Sequence, residues 1–190
     1  MKVGIITFHA SHNYGSMLQA YALQQVVTSL GHDCRIINLR TPRQKKIYSP
    51  FFLYPGLRSK LKALAYPAVA LNDWRKHRLF EKFLRTHLLL TRAEYSSSEQ
   101  LRHASLDFDI VISGSDQIWN TYCSDHESAF FLDFCNDARR VAYAPSMGPI
   151  PEIEVEPHLY PQLAAHLRRY DAIAVREQRT ASIVSRILAD

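Results

Sequence analysis

The run K-V-G-I-I-T-F at residues 2–8, the polar loop H-A-S-H-N-Y-G at 9–15, and a second apolar run C-R-I-I-N-L at 34–39 decide the fold. Near-continuous apolar runs of this length mark strands covered on both faces, as parallel strands are. Between the two runs, from Ser16 onward, Leu18, Tyr21, Ala22, Val26 and Leu30 recur at three-to-four spacing and predict a helix, with Gly31 as its stop. Strand, helix and strand within about forty residues make a βαβ unit, and a βαβ unit implies a parallel sheet.

Working outward, F-D-I-V-I-S (108–113) reads as a third core strand ending in Gly114-Ser115-Asp116, and 129–134 and 140–144 as two more. The spacing then predicts a helix over 159–170, a strand over 172–175 and a last helix over 177–188. Residues 145–157, with four prolines and three glutamates, form a loop. Upstream, Pro42, Pro50 and Pro55 break 41–55. A short helix is expected over 57–65 and a stronger one over 73–88, with Asn72 as its cap and Trp74, Phe80, Phe83, Leu84 and Leu88 on one side. A brief helix starts at 96–98. The alternation describes a doubly wound, mostly parallel, open α/β sheet of Rossmann-like type: one domain over 1–190, with a basic helical insertion at 41–95. The chain stops after a helix, where such a sheet ordinarily takes another strand, so it is expected to be one half of a larger protein.

Composition excludes other classes. The chain has 190 residues, 47% of them hydrophobic and 22% charged, which fits one full domain and not a disordered or disulfide-scaffold chain. No apolar run approaches the ~20 residues of a membrane span. Cys34, Cys123 and Cys135 form no C-x-x-C pair and read as reduced thiols of a cytoplasmic protein. The net charge of +5 hides a split: residues 1–92 carry 15 Lys/Arg against 3 Asp/Glu, and residues 93–190 carry 8 against 15. The basic excess between Arg40 and Arg92 is interleaved with aromatics. It reads as the solvated face of amphipathic helices, or as a peripheral contact with an anionic membrane surface. No nucleic-acid-binding motif accompanies it.

In open α/β sheets ligands sit beyond the carboxyl ends of the strands, so three segments carry the candidate chemistry. The first is the loop after the first strand, with Asn13, Tyr14, Gly15 and Ser16 opening the helix and Gln19 one turn on. Helix starts favour anions, and no Asp or Glu occurs before Asp33. Asn13 and Ser16 equally suit plain capping. The spacing is neither G-x-G-x-x-G nor a P-loop. His9 and His12 lack the third donor that a zinc site needs, so no metal is expected. The second segment is G-S-D-Q-I-W-N, containing Gly114, Ser115, Asp116, Gln117, Trp119 and Asn120. Its amides and carboxylate suit sugar hydroxyls and its indole suits a sugar face, although Asp116 as a cap and Trp119 as core are equally open. Asp107 and Asp109 stand at the amino end of their strand, away from any ligand side. The third segment is Arg176-Glu177, a strand-end pair able to hold a carboxylate or phosphate, or to pair structurally. No nucleophile–base set stands out.

K-V-G-I-I-T-F, N-Y-G-S-M-L-Q-A-Y-A-L (13–23), D-I-V-I-S-G-S-D-Q-I-W-N (109–120), F-F-L-D-F (130–134), V-A-Y-A-P-S-M-G (141–148) and A-V-R-E (174–177) together resemble the polysaccharide pyruvyl transferases, in family order, with 41–95 the least matched. The resemblance implies transfer of a pyruvyl group from phosphoenolpyruvate, a donor substrate and not a cofactor, onto two hydroxyls of a sugar to give a ketal. It implies an architecture similar to the two-domain GT-B fold, of which this chain is the amino-terminal domain. The family's proposed catalytic His and main donor-binding Arg then fall in the other half, so catalytic residues are unassigned here. This half is expected to present the acceptor, a sugar or lipid-linked glycan, with Asn13, Gly15, Ser16, Gln19, Ser115, Asp116, Gln117, Trp119 and Asn120 as its wall. A lipid-linked acceptor would bring the basic stretch to the inner membrane face. A non-catalytic carbohydrate-binding module and a nucleotide-sugar glycosyltransferase are the alternative readings.

Overall fold

A computed structural model describes residues 1–50, 66–148 and 159–189. Its elements are β1 (Lys2–Ile6), α1 (Tyr14–Ser29), β2 (Asp33–Leu39), α2 (Pro42–Ile47), α3 (Pro67–His87), β3 (Leu90–Tyr95), α4 (Ser98–Arg102), β4 (Ile110–Ser113), a 3₁₀ turn (Ser128–Phe131), β5 (Arg139–Tyr143), α5 (Tyr160–Leu167), β6 (Ala172–Ala174) and α6 (Gln178–Ala189). The six strands form one sheet in the order β3-β2-β1-β4-β5-β6, parallel throughout. The chain is therefore a doubly wound, Rossmann-like α/β fold.

The alternation of the strands divides the core. Val3 and Ile5 of β1 and Cys34 and Ile36 of β2 pack with Met17, Ala20, Leu23 and Val27 of α1 and with Phe80 and Leu84 of α3. Ile6, Ile37, Leu39 and Val111 enter the opposite layer, with Trp119, Phe130, Phe131 and the inner faces of α5 and α6. Covering both faces is what makes the sheet hydrophobic in continuous runs rather than in alternation.

Several local expectations are corrected. Residues 129–134 are not a strand: Ser128–Phe131 is a 3₁₀ turn closed by Leu132 in the left-handed region at φ 56. Ala129, Phe130, Phe131 and Leu132 are all buried, and a short apolar run of this kind does not distinguish a strand from any other buried segment. Residues 42–47, expected to be irregular, form α2, because Thr41 accepts from the Gln44 N–H while the Gln44 side chain returns to the Thr41 N–H. The helix expected at 73–88 begins at Pro67, which suits a first helical position, so Asn72 lies inside it and caps nothing. The last six residues of the 41–95 stretch, expected to be a helical insertion, form the edge strand β3, whose L-T-R-A-E-Y is too polar for a core strand. The helix expected over 57–65 lies outside the described residues.

Among the described residues, no helix is long and apolar enough to cross a membrane.

Candidate functional site

The strand order reverses direction between β1 and β4, so their following segments leave toward opposite faces and open a crevice at the carboxyl rim. Side chains lace the two rims together. The Thr7 hydroxyl donates to the Ser115 carbonyl at 2.8 Å. Gln19 donates to Thr7 Oγ1 at 2.8 Å and accepts from the Ser115 N–H at 3.2 Å. A cavity of about 410 Å³ lies above this lacing, walled by Phe8, Ser11, Asn13, Gly15, Ser16, Gln19, Tyr48, Ser115, Asp116, Gln117, Cys123, Asp125 and Arg176.

Eight of the sequence-predicted residues therefore meet in one place: Asn13, Gly15, Ser16, Gln19, Ser115, Asp116, Gln117 and Arg176. Asn13 is the cap of α1, its Oδ1 accepting from Gly15 N at 2.8 Å and Ser16 N at 3.3 Å. It stands at the rim in a structural role as well as a lining one.

The most unusual wall residue is Asp116. Its backbone is left-handed at φ 84, a conformation that Asp tolerates better than most residues but that still costs energy. Its carbonyl accepts from Ser146 N at 2.9 Å, which holds the turn to the segment after β5. Oδ1 accepts from Gln117 N at 2.8 Å, whereas buried Oδ2 has no hydrogen-bond donor among the described residues. A carboxylate oxygen left this way typically costs about 1–3 kcal/mol until something donates to it.

The other predicted residues lie elsewhere. Trp119 was expected in the wall; it is 1% exposed, stacked on Phe131 with ring centroids 5.5 Å apart, and donates to the Phe130 carbonyl. Asn120 is buried beneath Gln117, donating to its Oε1 at 3.3 Å. Gly114, at φ 139, sits where a Cβ would overlap the Tyr143 carbonyl oxygen, so it sets the path of the chain and does not line the crevice. Tyr14 is exposed and leans on Phe80, outside the crevice. Glu177 braces the start of α6, accepting from the Thr180 hydroxyl and pairing with Arg176 at 3.3 Å. Burial raises its pKa, but hydrogen bonds from Thr180, Ser146 and Arg176 outweigh that and hold it below the usual carboxylate range.

Phe8, Ser11, Tyr48, Cys123 and Asp125 complete the wall without a signal in the sequence. Tyr48 donates to Asp125 Oδ2 at 3.0 Å. Burial, with Asp125 beside it, lifts the Tyr48 phenol to about 12, so it remains a donor at neutral pH. Burial and the carboxylates Asp125 and Asp116 push the Cys123 thiol to about 11, which removes it as a nucleophile. His9 is buried and bonded to Asn38 at 3.1 Å; desolvation lowers its pKa, so it is a neutral structural residue. Among the described residues, no group of three or more His, Cys, Asp or Glu side chains is arranged to hold a metal ion.

A family model described as Polysaccharide pyruvyl transferase matches residues 13–189. The chain belongs to that family. It matches no curated protein and no solved structure. In this polysaccharide pyruvyl transferase chain, the crevice at the strand rims gathers hydroxyl, amide and carboxylate groups.

On the far side of Tyr48 a second cavity opens, and an ion network forms its floor. Glu81 accepts from Arg40 through both oxygens, at 2.6 and 3.2 Å, and from His12 Nε2 at 3.2 Å. The His12 hydrogen bond, opposed by burial and reinforced by Arg40, holds the Glu81 carboxyl near pKa about 2, against 4.5 for the unperturbed group. A depressed carboxyl pKa gives stability that is complete above the unfolded value and lost as pH falls toward the folded one. The wild type is therefore expected to lose on the order of 2–3 kcal/mol between pH 5 and pH 2 through this residue alone. Urea midpoints of wild type and Glu81→Gln should be far apart at pH 6 and draw together as pH falls through 3 to 2; a gap that stays constant would mean that Glu81 carries no net linkage.

Proposed function

We propose that the protein transfers the pyruvyl group of phosphoenolpyruvate to two hydroxyls of a sugar, and that this chain supplies the acceptor wall of the cleft. In such a transfer C2 of the donor gains two C–O bonds to the sugar and loses its bond to the phosphate oxygen. One hydroxyl proton ends on C3, which becomes a methyl group, and the other leaves with phosphate. The acceptor wall must therefore align a diol and take part in hydrogen bonds that tighten as the hydroxyls lose their protons.

The observation that carries this reading is the polar crevice between β1 and β4 in a chain of this family. Asp116 brings a carboxylate to the lining of this crevice, and Ser115, Gln117 and Ser11 offer further partners for a sugar hydroxyl around it. Arg176 at the rim, half-exposed, suits the carboxylate that the donor brings and the product keeps. Incubation of the full-length protein with phosphoenolpyruvate and candidate glycans tests the reading: phosphate release with a pyruvyl mass gain on the glycan is expected. Phosphate release without that gain, or transfer from a nucleotide sugar instead, would overturn it.

A further inference from the structure

We infer that the cavity beyond Tyr48 is an anion site for a phosphate or diphosphate group. Its volume is about 460 Å³, within the range of small-ligand pockets, and its lining includes Arg40, Lys45, Arg78, Arg85 and His77. The single lining carboxylate, Glu81, is saturated by Arg40 and His12 and has no charge to offer the remaining cations. Lys45 pairs with Glu94, outside the lining.

Two charges are left over. Arg78 lies 4.9 Å from the centroid of the Trp74 ring, a contact that fixes the guanidinium plane while its N–H edge remains available. Arg85, about two turns further along α3, has no carboxylate partner among the described residues. Two uncompensated guanidinium groups over a floor held in place by Glu81 match a multiply charged oxyanion, because each fork can donate two parallel hydrogen bonds to phosphate oxygens. A lone carboxylate would leave one fork unused.

The cavity is also joined to the acceptor crevice. Tyr48 lines both, its hydroxyl bound to Asp125 on one side and its carbonyl hydrogen-bonded to His77 Nδ1 at 3.2 Å on the other. A saccharide seated at Asp116 and carrying a phosphate would pass Tyr48 to reach Arg78 and Arg85. The anion site itself follows from the second cavity alone and does not depend on the transferase reading.

Titration of the full chain with inorganic pyrophosphate at low salt, followed by calorimetry and by amide chemical shifts, tests the assignment. Saturable binding is expected, weakened at least about tenfold in Arg78→Gln/Arg85→Gln, as loss of charge-assisted hydrogen bonds requires. Both side chains are exposed, so the double variant should melt with the wild type, and a melting curve run in parallel checks this. Absence of saturation by about 5 mM pyrophosphate, or equal affinity in the double variant, would overturn the site. Glucose 1-phosphate identifies the source of the anion. Shifts at Ser115 and Gln117 together with cavity residues indicate a saccharide-borne phosphate, and shifts confined to the cavity indicate a free phosphate or a headgroup; either pattern supports an anion site.

Discussion

Trp119→Ala is expected to cost about 3–5 kcal/mol of folding stability, as full truncation of a buried aromatic does. A domain of this size has only about 5–15 kcal/mol in total, so the variant should be partly unfolded at 37 °C. The indole is 1% exposed, parallel to Phe131 and edge-on to Tyr170 at 5.7 Å. Its N–H donates to the Phe130 carbonyl at 3.3 Å, an oxygen that also accepts from Ser113 and Tyr170. Because that carbonyl keeps other donors, the loss comes mainly from the cavity and the aromatic contacts and little from the hydrogen bond. Trp119→Phe should therefore recover most of the stability, the ring contacts surviving without the N–H. Urea unfolding with an unchanged m-value and a lower midpoint is the expected record. An alanine variant within about 1 kcal/mol of wild type would mean that the indole is not core, and would restore it as a platform for a sugar ring.

The apolar runs at 2–8, 34–39 and 108–113, the first two joined by a helix into a βαβ unit, point to strands of a parallel sheet, and the structure sets them side by side in the order β2-β1-β4. The crevice was legible for the same reason: in such a sheet ligands sit beyond the carboxyl ends of the strands, and the structure adds that the strand order reverses there, between β1 and β4. Within G-S-D-Q-I-W-N no residue pattern says which side chains face the crevice and which face the core. Asp116 and Trp119 are three residues apart, yet past the left-handed turn at Asp116 the one lines the crevice while the indole of the other lies in the core. Tyr48 and Asp125 are 77 residues apart and meet only through tertiary packing, so no spacing rule could pair them. The polar edge strand β3 escaped because its residues bury little, and periodicity reports burial.

Asp116→Asn is expected to lower kcat/KM for the acceptor about 10- to 150-fold in the full-length protein, leaving KM for phosphoenolpyruvate unchanged. The range is that of a charge-assisted hydrogen bond lost to a hydroxyl. Asparagine is the informative replacement. It tolerates the left-handed backbone that Asp116 occupies at φ 84, and its Oδ1 can still accept from Gln117 N as the aspartate does at 2.8 Å. What it removes is the charge and one acceptor, at the oxygen that has no donor among the described residues. If that oxygen were structural, relieving it would leave turnover alone and raise or preserve the melting temperature. If it receives an acceptor hydroxyl, stability holds while acceptor kinetics collapse, because the amide presents a donor where the hydroxyl must also donate. Asp116→Ala should show the same kinetic loss with added destabilisation of about 1 kcal/mol from forcing alanine into the left-handed region. Unchanged acceptor kinetics in the asparagine variant would remove Asp116 from the site, and with it the reason for placing the saccharide between β1 and β4.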